Sequence, residues 1–172
     1  MKMAKEFVEI KPVQITDNTF KLIGSDWMLI TAGTLDAYNT MTASWGGFGV
    51  MWNKNICFCV VRPSRYTYGF MEKADTFTLT FFDEDYRDAL KFCGSHSGRD
   101  VDKAAKTGLT PVQGSNDTVY FNEARMAIEC RKLYFQDLDP SKFLDQGIEE
   151  YYPQEDYHRM YVGEVIRCLQ RK

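Results

Sequence analysis

The chain has 172 residues and a formal net charge of −3, a length that predicts a single domain over residues 1–172. Its 21 Lys and Arg residues are dispersed without a basic block, which argues against a nucleic-acid partner. No apolar run reaches membrane-spanning length, and the segment MKMAKEFVEIKP lacks an apolar signal core. We therefore expect a cytoplasmic protein that does not associate with membranes.

The aromatic and cysteine contents indicate which kinds of ligand and metal or redox site the chain can have. Aromatic residues make up 15% of the chain, which favours either a planar ligand, a large interface or an aromatic-rich core. The chain has five cysteines, an odd number, and several of them lie in apolar segments, so reduced, buried thiols are expected. The spacing of Cys57 and Cys59 fits neither a C-x-x-C motif nor a zinc knuckle. With His96 and His158 far apart in the sequence, no metal site is predicted.

The first half of the chain alternates strand patterns with short helix patterns. In chain order, the patterns predict strand FVEIKPVQI (7–15), helix DNTFKLI (17–23) capped by Asp17 or Asn18, strand WMLITAG (27–33), a hydroxyl-rich turn, strand ASWGGFGV (43–50), strand ICFCVVR (56–62), helix SRYTYGFMEKA (64–74) capped by Ser64, and strand TFTLTFF (76–82).

The second half continues with two helices and then mainly strands. In order, it predicts helix DYRDALKFCG (85–94) ended by Gly94, helix GRDVDKAAKTG (98–108) capped by Asp100 and ended by Gly108, short strands LTPVQ (109–113) and TVYF (118–121), a long strand EARMAIECRKLYF (123–135), a helical or irregular stretch DPSKFLDQGIEEYYP (139–153), and strand YHRMYVGEVIRCL (157–169). Six or more strands with only short helices between them favour a β-barrel over a doubly wound parallel sheet.

The segment TMTASWGG, from Thr40 to Gly47, combines hydroxyl groups, small residues and one large ring. Its glycines suggest a bulge or a close approach of another backbone. We interpret it as a turn that lies along the edge and face of a flat ligand.

Two turns are candidate anion sites. The segment GSHSGRDVDK (94–103) joins two predicted helices and offers hydroxyls, a flexible glycine, two cations and a new helix N-terminus. A plain polar turn between helices would explain the same composition. The segment RPSRYT (62–67) is a strand-to-helix turn for which simple helix capping is favoured. Neither a Walker loop nor G-x-G-x-x-G occurs, which disfavours a P-loop or Rossmann protein.

These segments resemble the flavin reductase-like family, which has the FMN-binding split β-barrel fold, and in particular its flavoredoxin-like branch. The resemblance rests on NTMTASWGG, VRPSRYT followed by FTLTFF, CGSHSGRDVDK, ARMAIECRKLY and YHRMYVGEV, which occur in the family's order over most of the chain. It implies a mainly β, Greek-key-like split barrel with short peripheral helices, and a homodimer with two FMN sites at or near the dimer interface.

The resemblance also implies site residues. The isoalloxazine ring would lie against Asn39, Thr42, Ala43, Ser44 and Trp45. The phosphate would lie near Arg62, Thr67, Ser95, Ser97, Arg99 and Lys103. His158 matches a histidine near the family's last strand that can face the substrate side of the flavin, although a histidine bonded to a nearby carbonyl would fit equally well. No catalytic acid or base is assigned, because the cofactor carries the hydride chemistry.

Three functions follow from this resemblance. The first is an oxidoreductase that takes hydride from NADH or NADPH to FMN. The second is a flavoredoxin-like electron-transfer flavoprotein with a redox protein as partner. The third is a non-catalytic flavin binder. Function resides in the site and not in the fold, so the sequence leaves the choice open.

Overall fold

A large antiparallel sheet dominates the computed structural model, which describes residues 6–172. Residues 1–5, the start of the segment expected to lack a signal core, lie outside the described residues. The strands are β1 (Phe7–Ile10), β2 (Met28–Thr34), β3 (Ala37–Ala43), β4 (Gly46–Met51), β5 (Lys54–Val61), β6 (Thr76–Phe81), β7 (Pro111–Gln113), β8 (Val119–Phe121), β9 (Met126–Asp137) and β10 (Arg159–Arg171).

The main sheet has the order β3-β2-β6-β9-β10-β5-β4, and β1 also pairs with β10. The strands β7 and β8 form a separate hairpin. The helices are short: α1 (Thr19–Lys21), α2 (Tyr66–Lys73), α3 (Arg87–Ser95) and α4 (Lys103–Thr107). Within residues 6–172, no helix is long and apolar enough to cross a bilayer.

The sheet curls around one apolar core. Buried side chains from β2, β3, β5, β6, β9 and β10 belong to the same cluster, among them Ile30, Met41, Cys59, Phe77 and Tyr161. Phe48 of β4 packs against this cluster as well. Because β3 and β4 are the two ends of the sheet order, their shared core means that the sheet curls until both ends cover the same side chains. The predicted mainly β split barrel with short peripheral helices is confirmed.

A second apolar cluster attaches the helices to the outside of β2. Leu29 of β2 packs with Leu90 and Cys93 of α3, Ala104 of α4 and Phe121 of β8. The alternation of side chains along a strand explains this arrangement, since Met28 and Ile30 face the barrel core while Leu29 faces outward. The helices α3 and α4 are thereby held next to β3, which neighbours β2.

All five cysteines are buried and free, as expected. The Sγ atoms of Cys57 and Cys130 lie 3.0 Å apart in the barrel core. Burial raises the pKa of Cys59, Cys130 and Cys168 above the usual range of a thiol. These thiols therefore belong to the packing of the core.

The predicted hydroxyl-rich turn is wrong in its extent. Thr40, Met41, Thr42 and Ala43 continue β3, paired with β2 in register, and only Ser44 and Trp45 separate β3 from β4. Threonine is β-branched and favours strands, and the ladder to β2 decides the conformation here. The first predicted strand is also too long: β1 ends at Ile10, because Pro12 opens a 3₁₀ turn.

Several predicted helix ends are wrong. Ser64 does not cap α2, which begins after Arg65, and its hydroxyl donates to Asp156 instead. The cap of α4 is Asp102 and not Asp100: its carboxylate accepts from the Ala105 N–H at 3.0 Å. Gly94 lies inside α3. The predicted cap Asn18 and the predicted stop at Gly108, which has φ = 70°, are confirmed.

Candidate functional site

Three clefts that contain predicted site residues border β3 and the two residues after it. The Trp45 cleft, of about 210 Å³, lies between the end of β3, the end of β5 and His158. The Leu90 cleft, of about 470 Å³, lies between the same end of β3 and α3. The Gly98 cleft, of about 410 Å³, lies between the start of β3 and the turn before α4. Thr42, Ala43 and Ser44 line both of the first two clefts.

The threonines of β3 use their hydroxyl groups within the chain. The Thr40 hydroxyl lies 2.9 Å from that of Thr31 and donates to the Ile30 carbonyl oxygen. The Thr42 hydroxyl donates to the Leu90 carbonyl oxygen of α3. Ala43 and Ser44 are half-buried next to the exposed Trp45 ring. The end of β3 is thus bonded to β2 and α3 and is lined by a cleft on each side.

Asn39 and Thr67 are predicted for different parts of the site, and the structure brings them together. The Asn39 side-chain amide donates to the Thr67 hydroxyl at 2.7 Å, and both residues are buried. Gly98 lies against the same amide, where any Cβ would overlap the Asn39 side-chain oxygen. A glycine is therefore required for the turn before α4 to touch β3.

A group of cations lies between β5, α2 and α4. Arg62 forms an ion pair with Asp156 at 2.6 Å and donates to the Tyr151 carbonyl oxygen at 2.7 Å. Arg65 donates to the Gly94 carbonyl oxygen at 2.9 Å. Burial, and then the nearby charge of Arg62, lower the pKa of Arg65. Among residues 6–172, Arg65 has no ion pair with a carboxylate, so its charge is available to an anion.

Lys103 belongs to the same group of cations but is only 5% exposed. Its Nζ donates to the carbonyl oxygens of Thr40 and Cys93, each at 2.8 Å. Burial lowers its pKa to about 8, and the charge of Arg65 acts in the same direction. Two of its three N–H donors are used to join β3 to α3, which leaves one for any ligand.

The remaining predicted phosphate residues lie at the turn between α3 and α4. The Ser95 hydroxyl donates to the Lys91 carbonyl oxygen at 2.9 Å. The Ser97 hydroxyl oxygen accepts from the Arg99 backbone N–H at 3.2 Å. The Arg99 guanidinium lies over the Tyr66 ring, 4.9 Å from its centroid, and lines the Gly98 cleft. The predicted helix N-terminus lies at the end of this turn, because α4 begins only at Lys103, and the Asp102 carboxylate already accepts from the Ala105 N–H there.

Aromatic rings surround the mouth of the Trp45 cleft. Trp45 is 41% exposed and lies 5.0 Å from the His158 ring and 5.5 Å from the Tyr151 ring, centroid to centroid. His158 is buried, and its Nδ1 lies 2.8 Å from the Tyr152 hydroxyl. Its bond is thus to a tyrosine and not to the carbonyl considered from the sequence. Burial and the charge of Arg62 lower the pKa of His158 to about 4, although Asp156 opposes this change.

Sequence reasoning missed three residues of this site. Arg65 stands in the quoted turn RPSRYT, and a second arginine three residues after Arg62 was a usable signal. Tyr151 and Tyr152 lie in the stretch predicted as helical or irregular, which folds as 3₁₀ turns (Pro140–Lys142 and Gln146–Tyr151) beside the cleft. No local pattern indicated that this stretch would contact residues almost 90 positions earlier.

The fold is that of a mainly β protein of the split-barrel type, with a curled antiparallel sheet and short outer helices. Cation-lined clefts along β3 form its candidate ligand site. The chain belongs to the flavin reductase like domain family, whose model matches residues 20–172. A search among curated proteins finds no match.

Solved structures share this fold at low sequence identity. An FMN-binding domain of a flavin reductases-like enzyme from Shewanella baltica is 14% identical, with a TM-score of 0.71 over 98% of this chain and 79% of that chain. The flavoredoxin of Methanosarcina acetivorans is 21% identical, with a TM-score of 0.67 over 95% and 77%. An NADH:FAD oxidoreductase of Streptomyces globisporus is 17% identical, with a TM-score of 0.65 over 86% and 78%.

Proposed function

We propose that this protein is an FMN-dependent oxidoreductase that takes hydride from NADH or NADPH, and that it works in the cytoplasm as a homodimer of single-domain chains. The observation that carries the proposal is the cation group beside β3. Arg65 is half-buried, has two cations as neighbours and has no carboxylate partner within the described residues. Such a site is favourable for a phosphate.

The residues present fit an FMN group. Ala43, Ser44 and Trp45, with Thr42, would hold the ring, since the backbone here is accessible and a large aromatic side chain lies next to it. Arg65, Arg62 and Arg99 would hold the phosphate, together with the hydroxyls of Ser95 and Ser97. Asn39, Thr67 and Lys103 would fix the surrounding backbone, as their buried hydrogen bonds suggest. The role of Lys103 as a direct phosphate ligand stays a prediction.

FMN, when bound, supplies the hydride-accepting ring. The chain's own residues orient the two reactants and keep water away from the contact. Trp45 forms the outer wall of the Trp45 cleft and His158 its inner wall, and Tyr151 packs against the Trp45 ring. With its pKa lowered to about 4, His158 is neutral at pH 7 and adds no charge beside the ring.

Anaerobic reduction tests this function directly. We expect the FMN-loaded protein to lose its yellow absorbance when NADH or NADPH is added without oxygen. A yellow protein that neither NADH nor NADPH reduces would favour the alternative of an electron-transfer flavoprotein. Two observations support that alternative: the flavoredoxin structural relative and the exposed Trp45 and Tyr151 rings at the cleft mouth, which a redox protein could approach. A protein that cannot be loaded with FMN would contradict both functions.

Trp45 provides a test of where the ring binds. We expect FMN binding to quench the tryptophan fluorescence, because an aromatic ring at the Trp45 cleft would contact this side chain. The variant Trp45→Phe should show clearly weaker fractional quenching in the same fluorescence titration. Trp52→Phe is the matched control, since Trp52 is also exposed but packs against Tyr134 away from the cleft. Equal quenching in the parent and in Trp45→Phe would place the ring elsewhere.

A further inference from the structure

The inner wall of the Trp45 cleft depends on one hydrogen bond between two buried side chains. Tyr152 is 4% exposed and His158 is 8% exposed. The Tyr152 hydroxyl lies 2.8 Å from Nδ1 of His158, and their rings meet edge to face at 5.5 Å. The His158 backbone is fixed as well, because its carbonyl oxygen accepts from the Leu138 N–H at 2.9 Å. Both partners of this bond are therefore held in place.

Tyr152 is fixed from its other sides by charge and by packing. The Arg62 guanidinium lies over its ring, 5.0 Å from the centroid, and Phe143 stacks on it at 6.1 Å. Arg62 in turn is held by Asp156 and by the Tyr151 carbonyl oxygen. Arg62 directly follows β5. The end of β5 thus determines where Tyr152 places its hydroxyl group.

The direction of the bond follows from the supply of donors and acceptors. A neutral imidazole carries one N–H donor and one bare nitrogen acceptor. Within residues 6–172, the Tyr152 hydroxyl has no recorded side-chain or carbonyl acceptor other than His158 Nδ1. If Nδ1 carried the histidine proton, the buried tyrosine proton would have no partner, which is costly. The hydroxyl therefore donates to Nδ1, and the histidine proton is on Nε2.

We propose that Tyr152 is a positioning residue, which holds His158 as the neutral Nε2–H form so that the cleft is offered an uncharged hydrogen-bond donor. Such a donor suits a neutral acceptor, for example a carbonyl oxygen, and gives no charge attraction to a carboxylate. That this acceptor belongs to a molecule approaching bound flavin rests on the proposed function. The tautomer itself does not depend on flavin.

Nitrogen NMR of flavin-free protein labelled with ¹⁵N-histidine tests the tautomer. The chain has two histidines, so the variant His96→Gln assigns both sets of signals. From pH 5 to 8 we expect His158 to keep a bare Nδ1 and a protonated Nε2. In Tyr152→Phe, which preserves the ring, we expect a mixture of tautomers. Tyr151→Phe is the matched control and should leave the His158 signals unchanged, because Tyr151 packs against Trp45 and the hydroxyl bonded to His158 is that of Tyr152.

Two NMR results would overturn the proposal: a protonated Nδ1 in the parent, or unchanged His158 signals in Tyr152→Phe. A kinetic comparison then tests the consequence. Loss of one neutral hydrogen bond should raise the KM for the nicotinamide by about two- to tenfold in Tyr152→Phe, with FMN affinity unchanged. An unchanged KM would overturn the role in ligand binding. A parent protein that oxidises no nicotinamide would instead contradict the proposed function, while the NMR result would still decide the tautomer.

Discussion

Replacing Arg65 by alanine is expected to weaken FMN binding by about ten- to a hundredfold, with riboflavin binding changed by no more than about threefold. The two ligands share one ring, and only FMN carries a phosphate. Arg65 is a half-buried cation without a carboxylate partner in the described chain, so its charge-assisted bond to a phosphate would be little screened by water. Fluorescence titration of both flavins into parent and variant measures the difference.

Three comparisons sharpen this experiment. Arg131→Ala is the matched control, because Arg131 is an exposed arginine of β9 that pairs with Glu164. Arg62→Ala and Arg99→Ala rank the neighbouring cations, and the loss should be smaller for Arg62, which Asp156 already neutralises in part. Equal weakening of FMN and riboflavin in Arg65→Ala would mean that Arg65 acts through its bond to the Gly94 carbonyl oxygen and supports only the fold.

Replacing Lys103 by methionine is expected to lower the free energy of unfolding by about 2–4 kcal/mol near pH 7. The change removes two hydrogen bonds from a charged donor, to the carbonyl oxygens of Thr40 and Cys93. The Cys93 carbonyl lies in the last turn of α3, where carbonyl groups lack a helical partner. Urea unfolding measures the loss. Lys106→Met is the matched control, since Lys106 is exposed on the same helix and should change stability by at most about 0.5 kcal/mol.

The same variant has a defined pH dependence. The pKa of Lys103 is about 8 in the folded chain, against its ordinary value of 10.5. Between these values the unfolded chain holds the proton and the folded chain has released it, so the free energy of unfolding rises with pH. Over this whole pH range Lys103 raises the free energy of unfolding by about 3 kcal/mol. The neutral amine still has two protons to donate to the two carbonyl oxygens. We therefore expect the difference between parent and Lys103→Met to widen from pH 8 to 10.5. A constant difference over this range would contradict the depressed pKa.

Much of the fold was predictable because its strands have strong local patterns. The apolar runs at β2, β5 and β6 were predicted within about two residues of their observed ends, and the long β9 within three. The five buried thiols followed from the apolar segments around them. The motifs also named Thr42, Ala43, Ser44 and Trp45, which line one cleft together with Arg62. These successes share one reason: side-chain periodicity and apolar burial act over a few neighbouring residues, so the sequence alone records them.

The remaining features depend on which distant residues meet, and only the tertiary structure decided them. Thr40 to Ala43 form a strand because they pair in register with β2, and the local sequence does not show which strand will be the partner. Lys103 bonds to two main-chain carbonyl oxygens because α4 packs beside β3 and α3, although its sequence context resembled a phosphate loop. Tyr152 meets His158 beneath Arg62, which lies 90 positions earlier in the chain. A buried donor must find whatever acceptor the packed neighbours provide, and that choice is made by the fold and not by local sequence.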